Sequence, residues 1–495
     1  MSKAVIFIDP KGERTFHARC AAEADRHGKP FAYINPALPY YSRAFNPLGS
    51  AETPAEVVDR IKSLMPVSRD TFFVDLLTAL HLHVATAQQA LRIPWTLEGL
   101  YRASSIRVDL EDLIYRYLVD YLGCYRPPGK QDRLVGAIEE YLKRDIKDLT
   151  ADSLIEDYRH PVDHFRKITA GNVPTFQGVT GGEIGRLLSP IGGALTWKQI
   201  VQEGMVVYIG LSSMVLGDIA NRVGRLILQD LVGYLGRSYL LKDTASLPPI
   251  TVFVDEFSKV AYPGFVDGVN KGGGANARFI LGMQSKADPE TMMGPLHTRQ
   301  LLDNLNTVIT FRLADQQTAS EMVKDLTATV TLPERPGVGS GFGGVGGFTG
   351  HAQMRVPSTT TAAIRPSWLL ALPRGEAFAR IAGAIYKLRV PLLRPVPKAT
   401  LDRLGLTAMW EALDPDKVYE GDVWSPPVPS TRWPDRASLS APVLQLPPAP
   451  LPSLPSPGVK RLAAKSTRPN SSRFSRVWQR VRRWCSALDR RPTQP

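Results

Sequence analysis

The sequence predicts an α/β fold, with a parallel sheet covered by helices, an inserted all-α domain and a disordered Pro-rich and basic C-terminal tail. Short segments that are apolar almost throughout alternate with helical segments at the start of the chain and again after residue 200. This alternation is typical of a parallel sheet buried on both faces. Between the two blocks, apolar residues recur three and four positions apart, which is the spacing of helices.

The elements follow this pattern in order. The strand AVIFID (4–9), the helical stretch FHARCAAEADRHG and the strand FAYIN (31–35) form the first unit. A helical block from about 66 to 170 comes next. The remaining strands, predicted in the same parallel sheet, are GMVVYIGL (204–211), TVFVD (251–255), RFILGMQ (278–284) and NTVITFRLAD (306–315), with the helix IANRVGRLILQDLVGYLGRSYL after the first of them. FARIAGAIYKLRV (378–390) alternates more, which predicts a closing hairpin.

Composition disfavours several classes of protein. The net charge is +13, but eleven Lys or Arg and one Asp lie between residues 460 and 491, so the rest of the chain is nearly balanced. No apolar run approaches the length of a membrane span, and we expect no transmembrane segment or secretory leader. The distant cysteines Cys20, Cys124 and Cys485 fit a reducing compartment and lack metal-binding spacing. The eight scattered His residues argue against a metabolic α/β enzyme.

Polar side chains follow three of the predicted strands. Asp9 ends VIFI, Asp255 and Glu256 end TVFV, and Gln284 ends FILGM. Ligands of a parallel sheet bind beyond the carboxyl ends of its strands. In a nucleoside triphosphatase the first carboxylate of such a pair holds Mg²⁺, the second orients and deprotonates the attacking water, and a neighbouring Gln senses the γ-phosphate. The 29 residues from Asp255 to Gln284 span about one strand-helix-strand unit, so adjacent strands are expected.

Each of these signals has a structural alternative. An acidic pair after a strand also favours the start of a helix, and a lone Gln is often a loop residue that satisfies backbone groups. The segment Asp9–Gly12 also has the composition of a tight turn. The joint order of the three strand ends favours the nucleotide site.

Together these segments resemble the TraD-type coupling ATPases of conjugation, the type IV coupling proteins, which are related to the FtsK and HerA DNA pumps. The segments that carry the resemblance, over residues 4–395, are FIDPKGE (7–13), FNPLG (45–49), GMVVYIGL, VFVDEF (252–257), FILGMQS (279–285), NTVITFRLAD and LPRGEAF (372–378). The resemblance implies a RecA-like motor domain with an all-α insert, assembled as a homo-hexamer. It further implies ATP hydrolysis with Mg²⁺ that drives DNA from the relaxase and relaxosome to a type IV secretion channel at the cytoplasmic face of the bacterial inner membrane.

Site roles follow from the same resemblance. Asp255 would hold Mg²⁺, Glu256 would act on the water and Gln284 on the γ-phosphate, while Asp9 and Lys11 would shape the edge of the nucleotide pocket. The implied parts are the start of the nucleotide-binding domain (1–65), the all-α insert (66–170), the rest of the nucleotide-binding domain with the acidic Walker B strand (171–395), a Pro-rich linker (396–458) and a basic tail (459–495).

The chain departs from the family at its phosphate loop, GxxxxGK[ST], which the sequence does not contain. In the family this loop, its strand and a membrane-spanning hairpin precede the DPKG strand, whereas only eight residues precede Asp9 here. We therefore expect a truncated or mis-started chain or one half of a split protein, with a gap in the middle of the sheet. The alternative is a non-catalytic adaptor or remnant that binds relaxosome or channel partners.

The arginine that a neighbouring subunit inserts in many ring ATPases is not identified. Gly273 stands at the aligned position, and Arg278 or Arg312 remain open as substitutes.

Two further segments are distinctive. GVGSGFGGVGGFTG (337–350) contains a formal GxGxxG, but without a strand before it or a helix after it, so a loop is expected. In the tail, a helix would place apolar residues within one arc and arginines outside it; the apolar set is Phe474, Val477, Trp478, Val481, Trp484, Cys485 and Leu488. Such a helix suits an anionic membrane, a partner's groove or DNA phosphates, and a disordered tail is the alternative. We favour a peripheral membrane anchor or relaxosome contact.

Overall fold

The computed structural model describes residues 3–65, 72–124, 133–170, 173–190, 192–241, 246–326, 329–333, 358–362 and 364–414. The glycine-rich segment 337–350, the proline-rich stretch 425–458 and the predicted tail helix lie outside these residues.

Within this part of the chain, ten strands form three sheets. The strands are β1 (Ala4–Asp9), β2 (Phe31–Ile34), β3 (Val206–Gly210), β4 (Ile250–Val254), β5 (Ala277–Leu281), β6 (Thr307–Thr310), β7 (Thr329–Pro333), β8 (Ser358–Ala362), β9 (Glu376–Ile381) and β10 (Ala384–Arg389).

The main sheet is parallel and has the strand order β2-β3-β1-β4-β5. Its central strand β1 pairs on both sides, so that Val5 faces Val206 on β3 and Thr251 on β4. Every residue of β3 is buried. Strands that lack a polar face need helices on both sides of the sheet. The predicted fold class, a parallel sheet covered by helices, is confirmed.

Helices make up most of the remaining described residues. They are α1 (Arg14–Arg26), α2 (Pro54–Lys62), α3 (Phe72–Ala90), α4 (Leu97–Ser105), α5 (Arg107–Arg116), α6 (Arg133–Leu142), α7 (Leu149–Arg159), α8 (Val162–Ala170), α9 (Val173–Thr180), α10 (Gly182–Leu188), α11 (Trp197–Glu203), α12 (Ser213–Leu216), α13 (Asp218–Leu241), α14 (Phe265–Gly272), α15 (Ala287–Asp303), α16 (Gln316–Leu326), α17 (Pro366–Leu370), α18 (Lys398–Arg403) and α19 (Leu406–Ala412). Among them, none combines the length and the apolar character needed to cross a membrane.

A helical block, α2 to α11, lies between β2 and β3. Several of its helices begin at a side chain that accepts a hydrogen bond from the third residue of the helix, as Thr53, Thr96 and Asp148 do. Its apolar residues and those of the parallel sheet form one continuous core. The helical block is thus packed against the sheet that carries the strand ends.

A buried ion pair fixes this block to the sheet domain. Arg60 on α2 donates from Nε to Asp230 Oδ1 on α13 over 2.7 Å, and both side chains are almost completely buried. Asp230 also accepts from Trp197 Nε1 at 2.6 Å and from the Ser50 hydroxyl. Burial raises the pKa of Asp230 to about 6, although Arg60 and these donors act in the opposite direction. The network joins three segments that are far apart in the sequence.

The strand predicted at 306–315 is present, but its predicted place is wrong. It forms β6, which pairs antiparallel with β9 in a separate sheet of order β10-β9-β6. One face of this sheet packs on a small core, whereas Ile309 on the other face is 50% exposed. A strand with one exposed face suits an antiparallel pair better than the middle of a doubly covered sheet. The predicted hairpin is present as β9 and β10.

The expected gap in the middle of the parallel sheet is also absent. The five described strands are hydrogen-bonded without interruption, and β1 has a neighbour on each side. Among the described residues, β2 pairs only with β3 and β5 only with β4, so the open positions of this sheet lie at its two edges.

Candidate functional site

The site lies at the carboxyl edge of the parallel sheet, where the chain leaves β4. Glu256 has φ +40° and ψ +48°, a left-handed conformation that is uncommon for a residue with a side chain. Two hydrogen bonds hold this loop against β5, from Phe257 N to Gly282 O and from Gly282 N to Val254 O, both 2.8 Å. Such conformations persist where the surrounding structure enforces them, and they concentrate at functional sites.

Three of the predicted site residues meet at one carboxylate oxygen. Lys11 Nζ, from the loop after β1, lies 2.9 Å from Glu256 Oε1. Gln284 Nε2, from the loop after β5, donates to the same oxygen over 2.9 Å. The hydrogen bond and the charge of Glu256 raise the pKa of Lys11, so the ammonium stays charged at neutral pH. We call Lys11, Glu256 and Gln284 the edge cluster.

Asp255, the predicted magnesium ligand, is exposed beside this cluster. A Cβ at Gly282 would lie 2.8 Å from Asp255 Oδ1, so glycine is what lets the carboxylate approach the β5 loop. Mg²⁺ in nucleotide sites is typically bound by one or two carboxylates together with phosphates and water. One exposed carboxylate next to the edge cluster fits that requirement. In the described residues, no group of three or more His, Cys, Asp or Glu is placed to hold a metal.

Asp9 has a different position from the other predicted site residues. It is 1% exposed, and its two oxygens accept from Lys11 N, Glu13 N and Tyr208 Oη at 2.9, 3.0 and 2.6 Å. Burial, together with the nearby charge of Asp9, raises the pKa of Tyr208, so the phenol remains a donor. Asp9 therefore holds the loop that carries Lys11 and does not itself reach the edge cluster.

The loop after β1 is also fixed by the loop after β3. Gly12 has φ +69°, and a Cβ there would lie 2.7 Å from Ser212 Oγ, so only glycine fits. Ser213 N donates to Pro10 O over 2.8 Å, and Asn35 Nδ2 donates to Ser212 Oγ over 3.0 Å. Sequence reasoning identified the DPKG turn but missed Tyr208, Asn35 and Ser212, because each appears as a single polar residue near the end of a strand.

The arginine candidates do not join the site within this chain. Arg278 is exposed on β5, Arg312 is exposed after β6, and Gly273 is exposed at the end of α14. In the described residues, neither arginine hydrogen-bonds to Glu256 or Gln284.

The strands and loops that carry most of this site lie in a segment with known relatives. Residues 249–373 match the family model described as the TraM recognition site of TraD and TraG. Over these residues the chain resembles TraD and TraG. The matched segment contains Asp255, Glu256 and Gln284, and it confirms the resemblance seen in the sequence.

Several solved structures are similar to this chain. Two are the bacterial conjugative coupling protein TrwBdeltaN70 in an unbound form (14% identity, 80% of this chain and 86% of that chain, TM-score 0.48) and the plasmid coupling protein TrwB in complex with ADP and Mg²⁺ (13% identity, 80% and 86%, TM-score 0.48). A third is VirB4 of Thermoanaerobacter pseudethanolicus (13% identity, 79% and 82%, TM-score 0.41). Among curated proteins, none matches the chain.

Proposed function

We propose that this protein is a coupling ATPase of conjugative DNA transfer, in which ATP hydrolysis drives DNA from a relaxosome to a type IV secretion channel. The observation that carries the proposal is the edge cluster. Three residues from the ends of three strands contact one another at the sheet edge where parallel sheets bind ligands. A cation, a carboxylate and an amide at that place are the groups that phosphoryl transfer requires.

The residues would act in turn on a bound nucleotide. The Lys11 ammonium would move from Glu256 to a phosphate oxygen, which releases the Glu256 carboxylate to orient a water and accept its proton. Gln284 would donate its amide to the γ-phosphate from the neighbouring loop. When bound, Mg²⁺ would neutralise phosphate charge, with Asp255 as its protein ligand. Asp9 would keep Lys11 in place through the loop backbone.

The proposal includes partners that the chemistry of the site does not specify. We place the chain in a homo-hexameric ring at the cytoplasmic face of the inner membrane, with Arg278 or Arg312 reaching a neighbour's γ-phosphate. The match to a TraM recognition site supports a relaxosome partner that binds within 249–373. The basic tail would add a contact to the membrane or relaxosome.

A second function is a non-catalytic adaptor. Its support is the sequence itself, which contains no GxxxxGK[ST] loop to hold the phosphates. An adaptor would keep the partner-binding segment and need no turnover.

The test is nucleotide binding and hydrolysis by the purified full chain with Mg²⁺ and DNA. Glu256→Gln should lower the hydrolysis rate about 100-fold or more, because a general base contributes roughly that factor. Glu98→Gln, an exposed carboxylate on α4, is the matched control and should leave the rate unchanged. The enzymatic proposal would be ruled out if ATP bound with a dissociation constant weaker than about 1 mM and Asp255→Ala did not change it. A constant of about 1 mM corresponds to a binding free energy of about 4 kcal/mol. The adaptor function would then remain.

A further inference from the structure

A cavity of about 390 Å³ lies between α1, β2 and α19. Residues on its walls include Gly12, Arg14, His17, Tyr33, Met409 and Trp410. None of the side chains of the edge cluster lines it. Its size lies at the lower end of small-molecule sites, which suits a ligand of one or two rings.

The walls of the cavity are held in place by contacts between α1 and the helices α18 and α19. Arg403 forms a two-fold contact with Asp25, with N–O distances of 2.9 and 2.7 Å. The Arg14 guanidinium lies over the Trp410 ring, 3.9 Å from its centre. Apolar residues of α18 and α19 pack on Ala18 and Ala21. The cavity is therefore formed by fixed side chains, which limits the ordering cost of binding a ligand.

His17 is the unusual group in this cavity. It is 3% exposed and stacks on Tyr33, with ring centres 4.0 Å apart and an interplanar angle of 12°. Burial lowers the pKa of His17 to about 4, so at neutral pH the ring carries one N–H donor and one acceptor nitrogen. No described residue forms a hydrogen bond with either nitrogen. Neither nitrogen is among the fully enclosed side-chain atoms that lack a partner, so the ring is open to the cavity, where a ligand can pair with it.

The chemistry of the walls selects a flat heteroaromatic ligand. Aromatic rings and a thioether provide apolar contact, while the His17 donor and acceptor and the Arg14 guanidinium provide paired hydrogen bonds. We propose that this cavity binds a nucleobase, either of a free nucleoside or of a single-stranded DNA. A base has ring faces for stacking and an edge that both donates and accepts, which matches the two sets of groups.

The test measures binding of adenosine and of a short single-stranded oligonucleotide to the full chain by calorimetry. His17→Phe keeps the stack on Tyr33 and removes both nitrogens, so we expect affinity to fall about tenfold or more, the combined net value of the two hydrogen bonds. Trp410→Phe should also weaken binding, whereas Trp368→Phe, an exposed tryptophan on α17, is the control. Circular dichroism and melting temperature verify that each variant is folded.

The outcomes separate the two sources of a base and separate this site from the edge cluster. Tighter binding of adenosine assigns a free nucleoside, and tighter binding of the oligonucleotide assigns single-stranded DNA. Absence of binding by both, or binding that folded His17→Phe and Trp410→Phe leave unchanged, overturns the inference. Adenosine has no phosphates, so Glu256→Gln should bind it normally. A chain that binds adenosine but never hydrolyses ATP would refute the ATPase and not this site.

Discussion

His81 on α3 should make the stability of the protein depend on pH. Its side chain is 0% exposed, and neither ring nitrogen has a partner in the described residues. Burial lowers its pKa to about 3, whereas an unfolded His has a pKa of about 6.5. Between these values the unfolded state takes up a proton that the folded state excludes, so stability falls as pH falls through this window.

The magnitude follows from the shift. Each pH unit within the window is worth about 1.4 kcal/mol, so lowering the pH from 7 to 5 should remove about 2 kcal/mol of unfolding free energy through His81 alone. His81→Leu removes this titration and also the two unpaired nitrogens, and leucine has a similar size. The unfolding free energy of the variant, relative to that of the wild type, should therefore rise by about 2 kcal/mol as the pH is lowered from 7 to 5.

The assay is urea unfolding of both proteins at pH 7, 6 and 5, followed by helical circular dichroism. Titrating groups common to both proteins cancel in the difference, so the remaining pH dependence reports His81. A difference between wild type and His81→Leu that stays constant from pH 7 to 5 would refute the reasoning, because a ring that titrates normally contributes no pH dependence.

Two further predictions concern contacts already described. Arg60→Met leaves Asp230 without its cation in a buried site, so the unfolding free energy at pH 7.5 should fall by about 3 to 5 kcal/mol. The loss should be smaller at pH 5, where Asp230 is protonated. Urea unfolding midpoints at the two pH values measure both losses, and equal losses would contradict the prediction. Gly282→Ala places a methyl group against Asp255 Oδ1 and should weaken Mg²⁺-dependent nucleotide binding, measured by calorimetry, with little change in melting temperature. Unchanged binding would show that the Asp255 carboxylate does not need its close contact with residue 282.

The parallel sheet could be predicted from the sequence because its strands are apolar and short. The strand ends Glu256 and Gln284 could be placed together for the same reason, since parallel neighbours end at one edge. The apolar character of a strand does not indicate which strand it pairs with when it lies at the edge of a sheet, as β6 does. The sequence at 306–315 identifies a strand, but its partner β9 lies about 70 residues further along, and nothing local distinguishes a second sheet from the first.

Buried polar residues were the other group that sequence reasoning missed. Asp230 lies within a long amphipathic helix and Arg60 lies 170 positions earlier, so neither pattern indicates that the two meet. His17 and His81 stand alone in the sequence, and nothing near either of them indicates that it is buried in the fold. The sequence of a helix indicates on which side of the helix a residue lies. It does not indicate which polar atoms that residue meets across the core.

Glu256 combines two demands that oppose each other. Its left-handed backbone costs about 1 to 3 kcal/mol, and a glycine would adopt that conformation without strain. Glycine, however, would remove the carboxylate to which Lys11 and Gln284 bind. At this one position, the change that would relieve the backbone strain would also remove the carboxylate of the proposed site. Under the proposed function, stability and activity therefore favour different residues here.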